Sequence, residues 1–269
     1  RSTFAAIASP SGGWLMAMLE SQTGKFPRVA LKASSHNFLK RMMKMINRGV
    51  RCFPGVFDRA QALTTTPGQD GWTIADTSSS GTPTYLATTE DGGCMKLTLV
   101  STSEAENVCM YHNDVLQFDL AQIQFVEIIA KVAGIDSATT LTMGLGNARN
   151  DTEDSVAINA WFRMEGSVST TLVVAETDDS VVDNDDKATS QTLSSTYKTF
   201  KIDFMNGLSD VRFYIEGERV ASSTTFVMSN ITAGQNVQPI VQLAKASGTG
   251  VPSVSIAQFK IQYKYAYGA

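Results

Sequence analysis

The sequence is poor in the side chains that carry most enzyme chemistry, with only two histidines and three cysteines among 269 residues. Cys52, Cys94 and Cys109 are odd in number, widely spaced and without a CxxC pair. That spacing indicates neither a disulfide framework nor a zinc site, and it reads as free thiols of a chain made in a reducing cytoplasm. His36 stands just before a basic segment, and His112 follows Tyr111 in a turn-like His-Asn-Asp. Cys109 is close to His112 in sequence, yet no nucleophile motif surrounds them, so both histidines read as structural. No apolar run reaches the roughly 18 residues that a membrane helix requires. The stretch Trp14 to Leu19 is also too short for the core of a secretion signal with its usual flanks. Gly144-Leu-Gly-Asn-Ala-Arg lacks the third glycine and the following helix of a phosphate-binding loop.

What the chain does have is a division of charge. The formal net charge is −4, but residues 1–60 carry ten Lys or Arg against Glu20 and Asp58, a balance of +8. The remaining residues carry 12 basic and 24 acidic groups, a balance of −12. A basic segment joined to an acidic body is expected to seek an acidic partner: nucleic acid, a protein surface or another copy of its own body.

Within the basic segment, Ser34-Ser35 can cap a helix. Phe38, Leu39, Met42, Met43 and Ile46 give it an apolar side, Lys40, Arg41, Lys44 and Arg48 a charged one, and Gly49 a stop. Trp14 to Glu20 is read as a second short helix. Such pieces are too small for a core of their own, so residues 1–60 are expected to dock on something else. Trp14, Phe38, Leu39, Met42, Met43 and Ile46 are the expected apolar anchors, with Lys40, Arg41, Lys44 and Arg48 as charge partners. The Met-rich apolar side favours protein over genome contact, and nothing else points to a membrane.

From about Gln61 the texture changes to short runs of Val, Ile, Phe and Tyr between Gly, Ser, Thr and Asn clusters. Strands are expected near 85–87, 94–100, 115–118, 126–132, 140–145, 156–164, 171–175, 198–204, 211–215, 219–222, 240–246 and 253–265. That number and spacing predict an all-β chain, an antiparallel jelly-roll sandwich over 61–269, carrying a helical or extended basic arm over 1–60. Alternation marks the buried faces: Phe200, Ile202 and Phe204 against Thr199, Lys201 and Asp203, and Phe259, Ile261, Tyr263 and Tyr265 against Lys260, Gln262 and Lys264. In Phe213-Tyr-Ile-Glu-Gly-Glu-Arg-Val, Gly217 turns a hairpin at a position needing φ > 0.

Thr171–Asp186, Lys198–Phe204, the hairpin after Val211 and the last strand Ile256–Tyr265 together resemble the C-terminal half of concanavalin A-like or laminin-G-like jelly rolls. Met143-Gly-Leu-Gly and Ala157-Ile-Asn-Ala-Trp-Phe-Arg-Met look like the preceding strand pair. The resemblance covers roughly 117–265. The sandwich glycosidases of that resemblance usually carry their carboxylates on one strand as Glu-x-Asp-x-x-Glu. No such run is present, and Glu153-Asp154 and Glu165 flank a strand as solvated loop acids. The chain is therefore expected not to be an enzyme.

Asp178, Asp179, Asp183, Asp185 and Asp186 are the one run with oxygen ligands for calcium, but the alternating acids, central glycine and terminal Glu of an EF-hand are missing. A solvated acidic loop is the expectation, and no cofactor. In organisation, a sandwich on a basic arm is similar to virion proteins of tailed bacteriophages. The resemblance implies a capsid decoration or cement protein on the virion surface, partnered by the major capsid protein and copies of itself. The alternatives are a carbohydrate-binding or receptor-binding adhesin module, with a glycan as partner, and a coat protein whose arm contacts the genome.

Overall fold

The computed structural model describes residues 71–88, 93–193 and 195–263. Fifteen strands build the sandwich: β1 (Thr73–Asp76), β2 (Thr84–Thr88), β3 (Cys94–Thr98), β4 (Glu106–Tyr111), β5 (Phe118–Asp119), β6 (Ile123–Ala133), β7 (Thr139–Gly146), β8 (Ile158–Glu165), β9 (Leu172–Asp179), β10 (Asp183–Thr192), β11 (Lys198–Asp203), β12 (Arg212–Ile215), β13 (Glu218–Val220), β14 (Asn236–Lys245) and β15 (Ser253–Tyr263). One sheet runs β1-β4-β14-β7-β8-β9-β10 with β5 added beside β14, and the other runs β13-β12-β11-β6-β15-β3-β2. All the pairings of these strands are antiparallel. The expected jelly-roll sandwich is what is found.

Period-two alternation explains the layers. Phe200 and Ile202 of β11, Val126 and Ile128 of β6, and Phe259 and Ile261 of β15 face Leu141 and Met143 of β7, Phe162 of β8 and Val241 and Leu243 of β14 in one core cluster. Phe162 sits between Phe200 and Phe213, each ring centroid 5.2 Å away, and Phe213 meets Phe226 at 4.7 Å. Each such ring contributes about 1.5 to 3 kcal/mol on burial, which is why the alternating strands lock into one register.

The expected Gly217 hairpin is met in detail, and three strands are additions. Glu216 and Gly217 both have positive φ, 52° and 81°, and close a two-residue hairpin between Ile215 and Glu218. Strands β1, β4 and β10 were not expected, and the strand expected over 115–118 shrinks to Phe118–Asp119. The expected acidic loop is largely strand. Ser180 (φ 70°) turns the chain so that Asp183 pairs with Asp178 across β9 and β10.

Candidate functional site

Strand β8 sends Ile158, Ala160, Phe162 and Met164 into the core, which leaves Asn159, Trp161, Arg163 and Glu165 on the outer face of the eight-stranded sheet. Beside it, β9 buries Val173 and Ala175 and turns Glu176 and Asp178 outward. On the other side, β7 and β14 present Thr140, Thr142, Gly144 and Gln242. Gly144 is required here, because a Cβ would come within 2.6 Å of Cα and Cβ of Trp161.

Much of this outer face is covered. Residues 147–156, the connection from β7 to β8, lie across it and are tied down by polar contacts. Gln242 Nε2 donates to Asn150 O at 2.9 Å, and Glu153 Oε1 accepts from Thr140 Oγ1 at 3.2 Å and from Gln242 Nε2 at 3.3 Å. Asn107 Nδ2 donates to Asp151 Oδ1 at 3.0 Å, and the Arg149 guanidinium reaches Thr77 Oγ1 and Asp151. Glu153, expected to be a solvated loop acid, is instead only 8% exposed. Burial pushes its carboxyl up from the usual range, against the pull of its hydrogen bonds and of Arg163.

Beyond the covered part, the β8–β9–β10 edge carries a concentration of acid around one cation. The Arg163 guanidinium is 7% exposed and faces Asp154 at 2.5 Å, Glu176 at 3.5 Å, Asp186 at 3.7 Å and Glu165 at 4.0 Å. Burial works against its charge, and the surrounding carboxylates more than restore it. Glu176, itself buried, is pushed up to about 7 by burial; the Trp161 indole and Arg163 oppose the shift, and Asp185 and Asp186 reinforce it. Asn159 Nδ2 donates to Glu176 Oε1 at 3.3 Å. On the exposed hairpin, desolvation and the charges of Asp185 and Asp178 push Asp183 up to about 6. Asp178 and Asp186 are raised as well, each chiefly by burial.

This arrangement brings together carboxyl groups of raised proton affinity, Asp183 at about 6 on an accessible hairpin with Asp178 and Asp186 also raised beside it. Such a set can exchange a proton with an acetal oxygen and can accept hydrogen bonds from sugar hydroxyls. Sequence reasoning singled out the hairpin acids but missed Arg163, Trp161 and Glu176. The available signal was the alternation of β8 and β9, which puts all three on one face.

The remaining expected residues separate. Asp179 is fully buried and points the other way: burial raises its carboxyl, but the N–H groups of Val182, Asn230 and Val181 hold it below the usual range. Among the described residues no three His, Cys, Asp or Glu side chains lie together as a metal site, so Asp178, Asp179, Asp183, Asp185 and Asp186 do not converge on one ion. Cys109 packs with Tyr111 and Ile240, its thiol pushed far up by burial, and His112 is pushed down to about 4 by burial. Trp14, Phe38, Leu39, Lys40, Arg41, Met42, Met43, Lys44, Ile46 and Arg48 lie outside the described residues.

No family model matches the sequence, and no curated protein matches it. Solved structures do match the fold. A Bacillus licheniformis β-glucanase is 15% identical with a TM-score of 0.53, over 79% of this chain and 98% of that one. A structure of the endo-acting O-glycanases with which human gut bacteria initiate mucin breakdown is 9% identical with a TM-score of 0.53, over 79% and 99%. The potassium-bound carbohydrate recognition domain of Emp46p is 10% identical with a TM-score of 0.50, over 80% and 97%. At these identities the likeness is one of fold alone, that of an antiparallel jelly-roll sandwich.

The chain was expected not to be an enzyme because no Glu-x-Asp-x-x-Glu run is present, yet glycoside hydrolases are among the proteins that share its sandwich. A missing one-strand motif cannot exclude catalysis when the fold gathers acids from β8, β9, β10 and the 147–156 segment.

Proposed function

We propose that the sandwich is a glycan-acting module and that the acid-lined edge of β8, β9 and β10 receives the sugar chain. In this reading Asp183 gives its proton to the glycosidic oxygen as the C–O bond breaks, water forms the new bond to the sugar carbon, and a proton of that water returns to the carboxylates, with Asp178 opposite Asp183 on the paired strand and Asp185 beside it. Arg163 and Glu176 underneath hold the acids in place and are too covered to touch a substrate. The observation that carries the reading is the cross-strand pairing of Asp178 with Asp183 on an exposed hairpin, with Asp183 raised to about 6. Retention or inversion depends on the separation of the two working carboxyls.

The test is a glycan array followed by incubation of the bound polysaccharides and measurement of new reducing ends between pH 5 and 7. Wild type should bind and release ends, while Asp183→Asn should keep binding and lose release by about 100-fold or more, the scale of a general acid or base. Binding unaffected by Asp178→Asn and Asp183→Asn together, or no binding by wild type at any pH, would sink the assignment. A shell-docking role for residues 1–60 is a separate proposal that rests on the sequence's charge division. Cosedimentation with capsid particles, with and without those residues, tests it.

A further inference from the structure

Lys245 closes β14 and stands in register with Glu106, the first residue of β4. Both side chains are fully buried, and Lys245 Nζ lies 3.1 Å from Glu106 Oε2. The ammonium also donates to four backbone carbonyls: Val100 O, Thr102 O at 2.9 Å, Gly248 O at 3.0 Å and Gly250 O at 3.2 Å. These oxygens come from two connections far apart in sequence, one after β3 and one before β15. Glu106 Oε2 accepts the Val100 N–H as well, at 3.0 Å, while Oε1 is buried without a hydrogen-bond partner among the described residues.

The numbers of donors and acceptors do not match. An ammonium has three protons to give, and five oxygens face it, with a sixth on the same carboxylate left over. Backbone carbonyls from separate loops converging with a carboxylate on one point are what an oxygen-coordinated cation gathers, typically with six to eight ligands. The N–O spacing near 3 Å suits an ammonium as it stands, and calcium would need contraction to about 2.3 to 2.6 Å.

We propose that this is a cation-binding cage whose cation is tethered: Lys245 supplies the charge from within the chain, and the cage takes a free cation once the tether is removed. These loops are thereby pinned by a charge that chelators cannot extract. Lys245→Ala removes the equivalent of propylammonium, leaving an oxygen-lined space of matching shape.

The experiment follows the thermal midpoint of the full chain during titration with propylammonium chloride and, separately, with calcium chloride, using sodium chloride as the ionic-strength control. Lys245→Ala should melt about 10 °C below wild type, as expected when one member of a buried pair is lost. Either cation should restore at least half of that loss in a saturable way. Wild type and Lys245→Met, which fills the stem without the charge, should show only the shift seen with sodium. Should Lys245→Ala accumulate unfolded, refolding yield with and without the same salts replaces the melting point. Equal responses of the alanine and methionine variants to every salt, or equal refolding yields, would overturn the cage. Calcium rescue without propylammonium rescue would still uphold it, and would show that the loops contract onto the smaller ion.

Discussion

On the seven-stranded sheet, the outward Lys201 and Lys260 extend over the ring of Phe125 at 4.9 and 5.1 Å, and all three are half-buried. On the eight-stranded sheet, the outward Arg163 is almost completely covered and ringed by four carboxylates. Both faces arise from the same strand alternation, yet one is a solvated surface and the other a second, polar core. The covering of the eight-stranded face comes from the segment 147–156 and from the β9–β10 hairpin, which remove water from Glu153, Arg163 and Glu176. Where water is removed, charges must find each other or shift their protons. The raised proton affinities of Glu153, Glu176 and Asp186 are the result.

Emptying the apolar core that both faces share should have the greatest effect. Phe213→Ala should cost about 3 to 5 kcal/mol in urea unfolding, since the ring is fully buried between Phe162 and Phe226. Arg163→Ala comes next, at about 2 to 4 kcal/mol at pH 8, because it leaves Glu176, Asp154 and Asp186 without their cation. That cost should shrink at pH 5, where the carboxyls of highest proton affinity are neutral.

Titration of the polar face sharpens the contrast. Glu176, Asp183, Glu153, Asp178 and Asp186 all have raised values, so the folded state binds more protons than the unfolded one as pH falls through about 7 and then about 6. Stability should therefore rise as pH drops from 8 towards 5. Asp179 has the opposite sign: its contribution is present above its unfolded value and lost as pH falls below about 4. The melting temperature should peak between those windows. Glu176→Gln should be more stable than wild type by about 1 to 3 kcal/mol at pH 8, a gap that narrows as pH falls below about 7 and closes below the ordinary glutamate value, and an unchanged pH profile would remove Glu176 as the cause. The smallest effect belongs to the open face, where Lys260→Ala should change stability by no more than about 0.5 kcal/mol.

Much of the fold was legible where alternation meets large apolar side chains, as in Lys198–Asp203, Arg212–Ile215 and Ser253–Tyr263. Strand β10 was not, for a physical reason: Asp-Asn-Asp-Asp-Lys-Ala-Thr-Ser-Gln-Thr forms an edge strand that buries only Thr189 outright, so it has no apolar face to reveal its period. Strand β4 was obscured by its setting among polar turns, although Val108 and Met110 do alternate into the core. The site was half visible. The hairpin acids are clustered within nine residues and conspicuous, whereas Arg163 meets Glu176 and Asp186 only across strand pairings that no local pattern announces.

By itself the sequence determined the antiparallel sandwich, the Gly217 hairpin and the division between a basic leading segment and an acidic body, because these follow from local periodicity, backbone freedom and summed charge. Only the tertiary structure decided that Glu153 would be buried, that Glu176 would titrate near neutrality and that Lys245 would stand inside five oxygens. Those outcomes depend on which segments exclude water from a side chain, and that is set by contacts between residues distant along the chain.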